Sequence, residues 1–318
     1  MAVNWLRRGV LTAACASVAL LAACGSSTIE SALKPARFVA FGDGFSDVGQ
    51  VANARYTVND GSVNNWTQQL AAAYGMTLTP VSAGGTSYAQ GNARVSAMPD
   101  AAGNASTPTV TQQVDAFLAS GGTRANDVVM LGAGTADIIA EMAAVTAGTQ
   151  TPEQMLAHAQ QAGKDLGAQA IRLVDAGAKY IVVSGAYNLG RSPWGSAIGQ
   201  TALLEDASSK FNQAFLVAVV NQGANILYVD SAYYFNLVTS SPGSYSFDNS
   251  TTAVCTSVDA GNGIGIGAGQ INSALCTPST LLPAATYNRY VFADKVYVTP
   301  EAQRLFGTYA YDRLHARW

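Results

Sequence analysis

Charged side chains are scarce in this chain, where Asp, Glu, Lys and Arg make up 12% of the 318 residues. About a quarter is usual for a soluble domain. Nucleic-acid-binding proteins need a basic surface, and disordered chains combine high charge with few apolar residues. The net charge of −3 and the hydrophobic fraction of 49% fit neither class. We therefore expect a folded protein with no nucleic-acid partner.

Histidine is nearly absent as well. The chain has only His158 and His315, and neither lies near another soft metal ligand in the sequence. Protein sites for zinc and similar metals gather several His or Cys side chains. We predict neither a metal ion nor another cofactor, and we interpret both histidines as surface residues.

A long hydrophobic run is also missing, because the apolar segment Gly9–Ala23 is too short to span a bilayer comfortably. It follows Arg7 and Arg8, as in an export signal. The signal ends Leu-Ala-Ala-Cys24, which resembles the lipobox of bacterial lipoproteins. The resemblance implies a signal peptide over residues 1–23, lipidation of Cys24 and membrane anchoring. An ordinary secretory peptide with a coincidental cysteine is the alternative.

Gly25 follows Cys24, where lipoproteins retained in the inner membrane usually carry Asp, so we expect an outer-membrane location in the bacterial envelope. Residues 24–36 are small and polar and are interpreted as a tether. Cys255 and Cys276 then remain as an even pair in an exported protein, which favours a disulfide. The glycine-rich segment Asp259–Gln270 inside that loop lacks a phosphate-binding ending and is interpreted as a flexible surface loop.

From residue 37 to 318 the pattern indicates one α/β domain. Continuous apolar runs alternate with longer helical patterns, which is typical of a mostly parallel sheet flanked by helices in a three-layer sandwich. The predicted strands are Phe38–Phe41, Asp127–Leu131, Tyr180–Ser184 and Ile226–Val229; the predicted helices are Trp66–Tyr74, Val110–Ala119, Pro152–Ala176, one around Leu203–Asn221 and one from Pro300 towards Tyr311. Ligand sites in such sheets lie beyond the carboxyl ends of the strands.

The segment Phe41–Gly49 reads FGDGFSDVG. It resembles the signature of the GDSL, or SGNH, esterase and lipase family, Phe-Gly-Asp-Ser-Leu-Ser-Asp-x-Gly, in which the first serine attacks an ester bond. Gly44 stands at the position of that nucleophile. Ser46 and Asp47 match the following Ser-Asp pair, which is usually structural in the family.

Two further blocks continue the resemblance. Ser87–Val95 (SYAQGNARV) is similar to the family's second block and aligns Gly91 with a glycine whose N–H helps to bind the oxyanion. The N–H groups of Gly44 and Gly91 could then still form half an anion-binding nest. The third block should read Gly-x-Asn-Asp, but here Ala136 replaces the asparagine that donates to the oxyanion.

The last block should read Asp-x-x-His-Pro. Asp294 is kept, and Tyr297 stands where the histidine base should be. A phenol is protonated at neutral pH and is a poor general base. Nucleophile, base and oxyanion asparagine are therefore all replaced.

The leading hypothesis is an inactive GDSL-like envelope lipoprotein, a pseudoenzyme with a binding or structural role. Without a side chain at Gly44 its cleft should be roomier and could hold an acyl or glycan-like ligand. The alternatives are an ester hydrolase with a relocated nucleophile, for which Ser46 and Thr299 are the candidates, and a scaffold in which the cleft has no role.

Overall fold

The protein is described by a computed structural model covering residues 31–318. A four-stranded parallel sheet forms its centre, with β1 (Arg37–Gly42), β2 (Asp127–Gly132), β3 (Tyr180–Ser184) and β4 (Ile226–Tyr228) in the order β1-β2-β3-β4. The residues of β2 are all buried, as expected for a strand covered on both faces. All four predicted strands are therefore present.

Eight α-helices are described in this part of the chain. In chain order they are α1 (Trp66–Ala73), α2 (Val110–Ala119), α3 (Thr135–Thr146), α4 (Pro152–Asp175), α5 (Pro193–Ala197), α6 (Thr201–Ala218), α7 (Ser231–Ser240) and α8 (Pro300–Arg317). Helix α2 has the predicted bounds, because the Thr109 capping box fixes its start. Helix α8 continues six residues past the predicted Tyr311, to Arg317.

Successive strands step across the sheet in one direction, so right-handed crossovers place α2, α4 and α6 on one face. Helix α4 packs along α6 on that face, and α1 packs against α8. Phe306 of α8 contacts Phe45, Trp66 and Phe235 in the aromatic core. The predicted three-layer α/β sandwich is confirmed.

Helices α3, α5 and α7 were not predicted from the sequence. Helix α3 begins after Gly134, which has a φ of 119° and provides no side-chain cap. Its start therefore lacks the usual N-cap signal. Helix α7 opens with Ser-Ala-Tyr-Tyr-Phe, a composition that is as common in strands. A small second sheet, β5 (Asn249–Ala253) paired with β6 (Tyr290–Phe292), was not predicted either.

The predicted signal peptide and Cys24 lie outside the described residues. Residues 31–36, which the sequence analysis assigned to the tether, lie against the domain: Leu33 is buried, and its N–H donates to the carbonyl of Trp318 at 3.1 Å. Within residues 31–318, no helix is long and apolar enough to cross a bilayer, and no cluster of His, Cys, Asp or Glu could hold a metal ion.

Cys255 and Cys276 form the predicted disulfide. The glycine-rich segment within that loop, however, is not simply a surface loop. Ile264 is 1% exposed, and the Asn262 amide donates to the Ala102 carbonyl at 3.0 Å. The prediction was wrong for this part because two isoleucines, Ile264 and Ile266, among glycines are too short a pattern to indicate burial.

Candidate functional site

The four sequence blocks meet at the carboxyl edge of the sheet. Residues 86–90 run beside β1, with the Tyr88 N–H donating to the Ala40 carbonyl at 2.7 Å. This pairing carries Gly91 next to the turn that follows β1. Gly42 is paired with Gly132 of β2, and a Cβ at Gly42 would lie 2.0 Å from the Gly132 carbonyl oxygen. Only glycine permits this close approach between the first and third blocks.

Tyr297 occupies the space beside Gly44. Its side chain is fully buried, and a Cβ at Gly44 would lie 2.7 Å from the Tyr297 Oη and 2.8 Å from its Cζ. A Cβ contact under 3 Å requires something to move. The expectation of a roomier cleft was therefore wrong, because the volume released at Gly44 is filled by the phenol ring.

A second tyrosine, Tyr56, covers Gly91. A Cβ at Gly91 would lie 1.9 Å from the Tyr56 Oη, and the rings of Tyr56 and Tyr297 have centroids 4.9 Å apart. Tyr56 belongs to none of the four blocks, so the family motifs do not point to it. The only sequence signal was an aromatic residue in the polar stretch that follows the first block.

The N–H group of Gly91 already has an acceptor. It donates to Asp47 Oδ2 at 2.8 Å, and Asp47 Oδ1 accepts the N–H groups of Gly49 and Gln50. An oxyanion could use the Gly91 N–H only by displacing this carboxylate. The predicted half-nest at Gly44 and Gly91 is therefore wrong in this conformation.

Asp294 supports the turn that carries Tyr297. Its Oδ1 accepts the N–H groups of Val296 and Tyr297 at 2.7 and 2.6 Å, and its Oδ2 accepts the Ser273 N–H at 3.0 Å. The Tyr297 Oη is buried and has no hydrogen-bond partner in the described residues. Burial raises the pKa of Tyr297 well above its ordinary value, so the phenol stays neutral and cannot serve as a base.

Asp43 joins the first block to the third, and Asp137 joins the third block to the second. Asp43 accepts the N–H groups of Phe45 and Ala136 at 2.9 and 3.2 Å, and burial raises its pKa to about 6. Asp137 accepts the N–H of Val95, and burial raises its pKa to about 7. Backbone N–H groups that could meet an anion thus bind protein carboxylates instead.

A family model for the GDSL-like lipases and acylhydrolases matches residues 38–310. The chain belongs to this family. The members it describes hydrolyse ester bonds. No curated protein sequence matches the chain.

Two solved structures match the chain over 89% of its length. Est24, a carbohydrate acetylesterase from Sinorhizobium meliloti, is 14% identical, is covered over its full length and gives a TM-score of 0.47. The native aryl esterase of M. smegmatis is 12% identical, is covered over 99% of its length and gives a TM-score of 0.43.

Neither substitute nucleophile is placed for GDSL chemistry. The Ser46 hydroxyl is buried, donates to the Gly132 carbonyl at 3.2 Å and accepts from Trp66 Nε1 at 3.1 Å. The Thr299 hydroxyl is buried and donates to the Tyr290 carbonyl at 2.6 Å. His158 on α4 bonds Glu141 at 2.7 Å, and His315 lies on α8 against Tyr311. None of these side chains is among the atoms nearest to a Cβ placed at Gly44, which belong to Tyr297 and Tyr56.

A cleft of about 330 Å³ lies outside the two tyrosines of this GDSL domain. Tyr56 and Gly91 line this cleft. The other lining residues include three amides, two carboxylates and two larger apolar side chains: Gln90, Asn92, Asn104, Asp47, Asp100, Val51 and Leu275. Asn92 also bonds the Gly263 carbonyl at 2.9 Å, while its Oδ1 is buried without a partner. The cleft thus combines amides that suit hydroxyl groups with an apolar wall.

Proposed function

We propose that this protein is a catalytically silent GDSL-family lipoprotein of the bacterial envelope that binds a small ligand without cleaving it. The observation that carries the proposal is the pair of tyrosines over the former site. Tyr297 fills the space beside Gly44, and Tyr56 covers Gly91. A substrate carbonyl has no room where the family places its nucleophile and oxyanion donors.

The size of the expected rate loss supports this proposal. Loss of a serine nucleophile alone reduces turnover by about 10⁶ in a serine protease. Each missing oxyanion donor typically lowers the rate by about 10²–10³. Here glycine, alanine and tyrosine replace the nucleophile, the asparagine and the base, at Gly44, Ala136 and Tyr297. Little would remain above the uncatalysed reaction.

The envelope location rests on the sequence around Cys24. The lipobox-like Leu-Ala-Ala-Cys and the following Gly25 favour lipidation and an outer-membrane destination. The mass of Cys24 peptides from the native protein tests the lipid, and an unmodified thiol there would contradict the anchor.

The ligand is best matched by a molecule with hydroxyl and acyl groups, such as an acylated sugar. Amides bind hydroxyl groups in either donor or acceptor direction, and the partly buried ring of Tyr56 offers an aromatic surface to the apolar face of a sugar. Isothermal titration with acetylated and unacetylated oligosaccharides tests this. We expect Tyr56→Ala to abolish binding and Tyr233→Ala, at an exposed tyrosine on α7, to leave it intact. Equal affinity of both variants would contradict a site at Tyr56.

Catalytic silence has its own test. Purified protein should hydrolyse p-nitrophenyl acetate and butyrate no faster than buffer and should not react with a fluorophosphonate probe. Labelling that disappears in Ser46→Ala or Thr299→Ala would establish a relocated nucleophile and overturn the proposal. The buried hydrogen bonds of both hydroxyls argue against that outcome.

A further inference from the structure

The end of the domain that carries the chain towards Cys24 is the amino edge of the sheet. We use "amino edge" for residues 31–36, 121–126, 175–179 and 220–225, which precede β1, β2, β3 and β4, together with the carboxyl end of α8. Parallel strands place these segments side by side. The Ala36 N–H bonds the Asn126 carbonyl at 2.9 Å, and the Ile181 N–H bonds the Asn225 carbonyl at 2.9 Å.

This edge has an excess of positive charge in a chain whose net charge is −3. Four exposed cations belong to it, Lys34, Arg124, Lys179 and Arg317. Arg317 reaches across to the Gly223 carbonyl at 2.5 Å, which places it at the start of β4. Among residues 31–318 none of the four forms an ion pair with a carboxylate. The exposed acids are Asp175 and, on α8, Asp312, which is followed by the exposed Arg313.

Two apolar or aromatic side chains accompany these cations. Val220 lies in the amino edge and is 73% exposed, and Trp318 packs on Tyr180 at the same edge with ring centroids 5.3 Å apart. Lysine and arginine around an apolar or aromatic group are typical of surfaces that meet phospholipid headgroups.

The short chain between Cys24 and Ser31 limits how far the amino edge can lie from a lipid on Cys24. Ser31 is tied to the Trp318 carbonyl at 2.7 Å, and the stretch from Cys24 to Ser31 spans at most roughly 25 Å when fully extended. A lipid on Cys24 would therefore hold the amino edge close to the bilayer. The cleft lies at the other edge of the sheet, about 20 Å away along a six-residue strand.

We propose that the amino edge is a membrane-docking surface that binds anionic phospholipid headgroups and directs the cleft away from the bilayer. This inference rests on the proposed anchor at Cys24 and adds an orientation to it. An anchor alone would leave the domain free to tumble, whereas four cations at one edge favour a single orientation. Each basic residue near an anionic membrane contributes about fivefold to binding.

Hydrogen exchange on anchored protein tests the docking. The chain from residue 24 contains every residue of the described fold, and Cys24 is its one cysteine outside the disulfide. Its thiol can be coupled to a maleimide phospholipid, which makes the test independent of natural lipidation. On vesicles containing phosphatidylglycerol, amides in 121–126 and 221–225 should exchange more slowly than on phosphatidylcholine vesicles. Amides in 51–54, at the cleft, should not change.

Two matched pairs of lysine substitutions test whether the positive charge at the amino edge is responsible for docking. Lys34→Gln/Lys179→Gln should lower the ratio of docked to free domain by about 25-fold. Lys164→Gln/Lys210→Gln removes the same charge from α4 and α6 and should leave the ratio nearly unchanged. Equal effects of the two pairs, or no protection of the amino edge on anionic vesicles, would overturn the docking proposal. Natural lipidation is tested separately by the mass of Cys24, so the two failures are distinguishable.

Discussion

The ring of Tyr297 fills the space that a side chain at position 44 would occupy. The family places a small nucleophile beside an imidazole, whereas here a hydrogen atom faces a phenol ring that is fully buried. Restoring only the serine would force its Cβ to within 2.7 Å of the Tyr297 Oη. Overpacking of this kind typically costs about 1–3 kcal/mol. The two positions are therefore coupled, and neither substitution can be interpreted alone.

The unpartnered hydroxyl of Tyr297 leads to a prediction about stability. Tyr297→Phe removes a buried polar atom without a partner, so the free energy of unfolding should stay the same or rise by up to about 1 kcal/mol. Tyr187→Phe is the matched control, because its hydroxyl is buried but donates to the Val296 carbonyl at 2.5 Å. That variant should lose about 1 kcal/mol. Urea unfolding measures both; a Tyr297→Phe loss as large as the Tyr187→Phe loss would reveal a missing partner.

At the scale of elements, capping boxes mark the starts of two of the predicted helices. Thr109 and Thr151 each form a capping box, and α2 and α4 begin where the sequence indicated. Helix α3 has no such signal, because its first N–H groups are satisfied by Asp43, which is distant in sequence. Its position is set by tertiary contacts that a local pattern cannot contain.

The start of α3 also carries a testable pH dependence. Burial raises the pKa of Asp137, in its first turn, to about 7. The folded state therefore holds this proton more tightly than the unfolded state, whose carboxyl has a pKa near about 3.9. Stability from this group is complete below that pH and is lost as the pH rises to about 7. Relative to wild type, Asp137→Asn should become progressively more stable across this window. Urea unfolding at several pH values measures the difference, and a constant difference would contradict the raised pKa.

At the scale of the whole molecule, the sequence predicted the parallel sheet and the disulfide. Runs of apolar residues and the order of the blocks are properties of the sequence itself, so they can be predicted without a structure. The role of Tyr56 could not be predicted, because its contact with Gly91 joins residues 35 positions apart outside any motif. The hydrogen bond from the Gly91 N–H to Asp47 could not be predicted either, because it joins two blocks that lie 44 residues apart in the sequence. Both features depend on how loops close over the carboxyl edge.

Reversion of the site tests whether the fold still supports catalysis. The triple variant Gly44→Ser/Ala136→Asn/Tyr297→His restores the family residues and removes the phenol that meets position 44. Tyr56 would still cover Gly91, so we expect only weak hydrolysis of p-nitrophenyl acetate. Adding Tyr56→Ala should open the oxyanion position and raise kcat/KM by about 10², the typical contribution of one oxyanion donor.

The matched control for this series carries Gly44→Ala in place of Gly44→Ser and keeps the other three substitutions. It should be inactive, because a methyl group cannot attack an ester. Activity in the control would mean that the hydrolysis does not use position 44. A folded quadruple variant no faster than the triple would show that Tyr56 is not the remaining obstacle. The hydrogen bond from Gly91 to Asp47 would then be the next group to release, since it withholds the same N–H from the oxyanion.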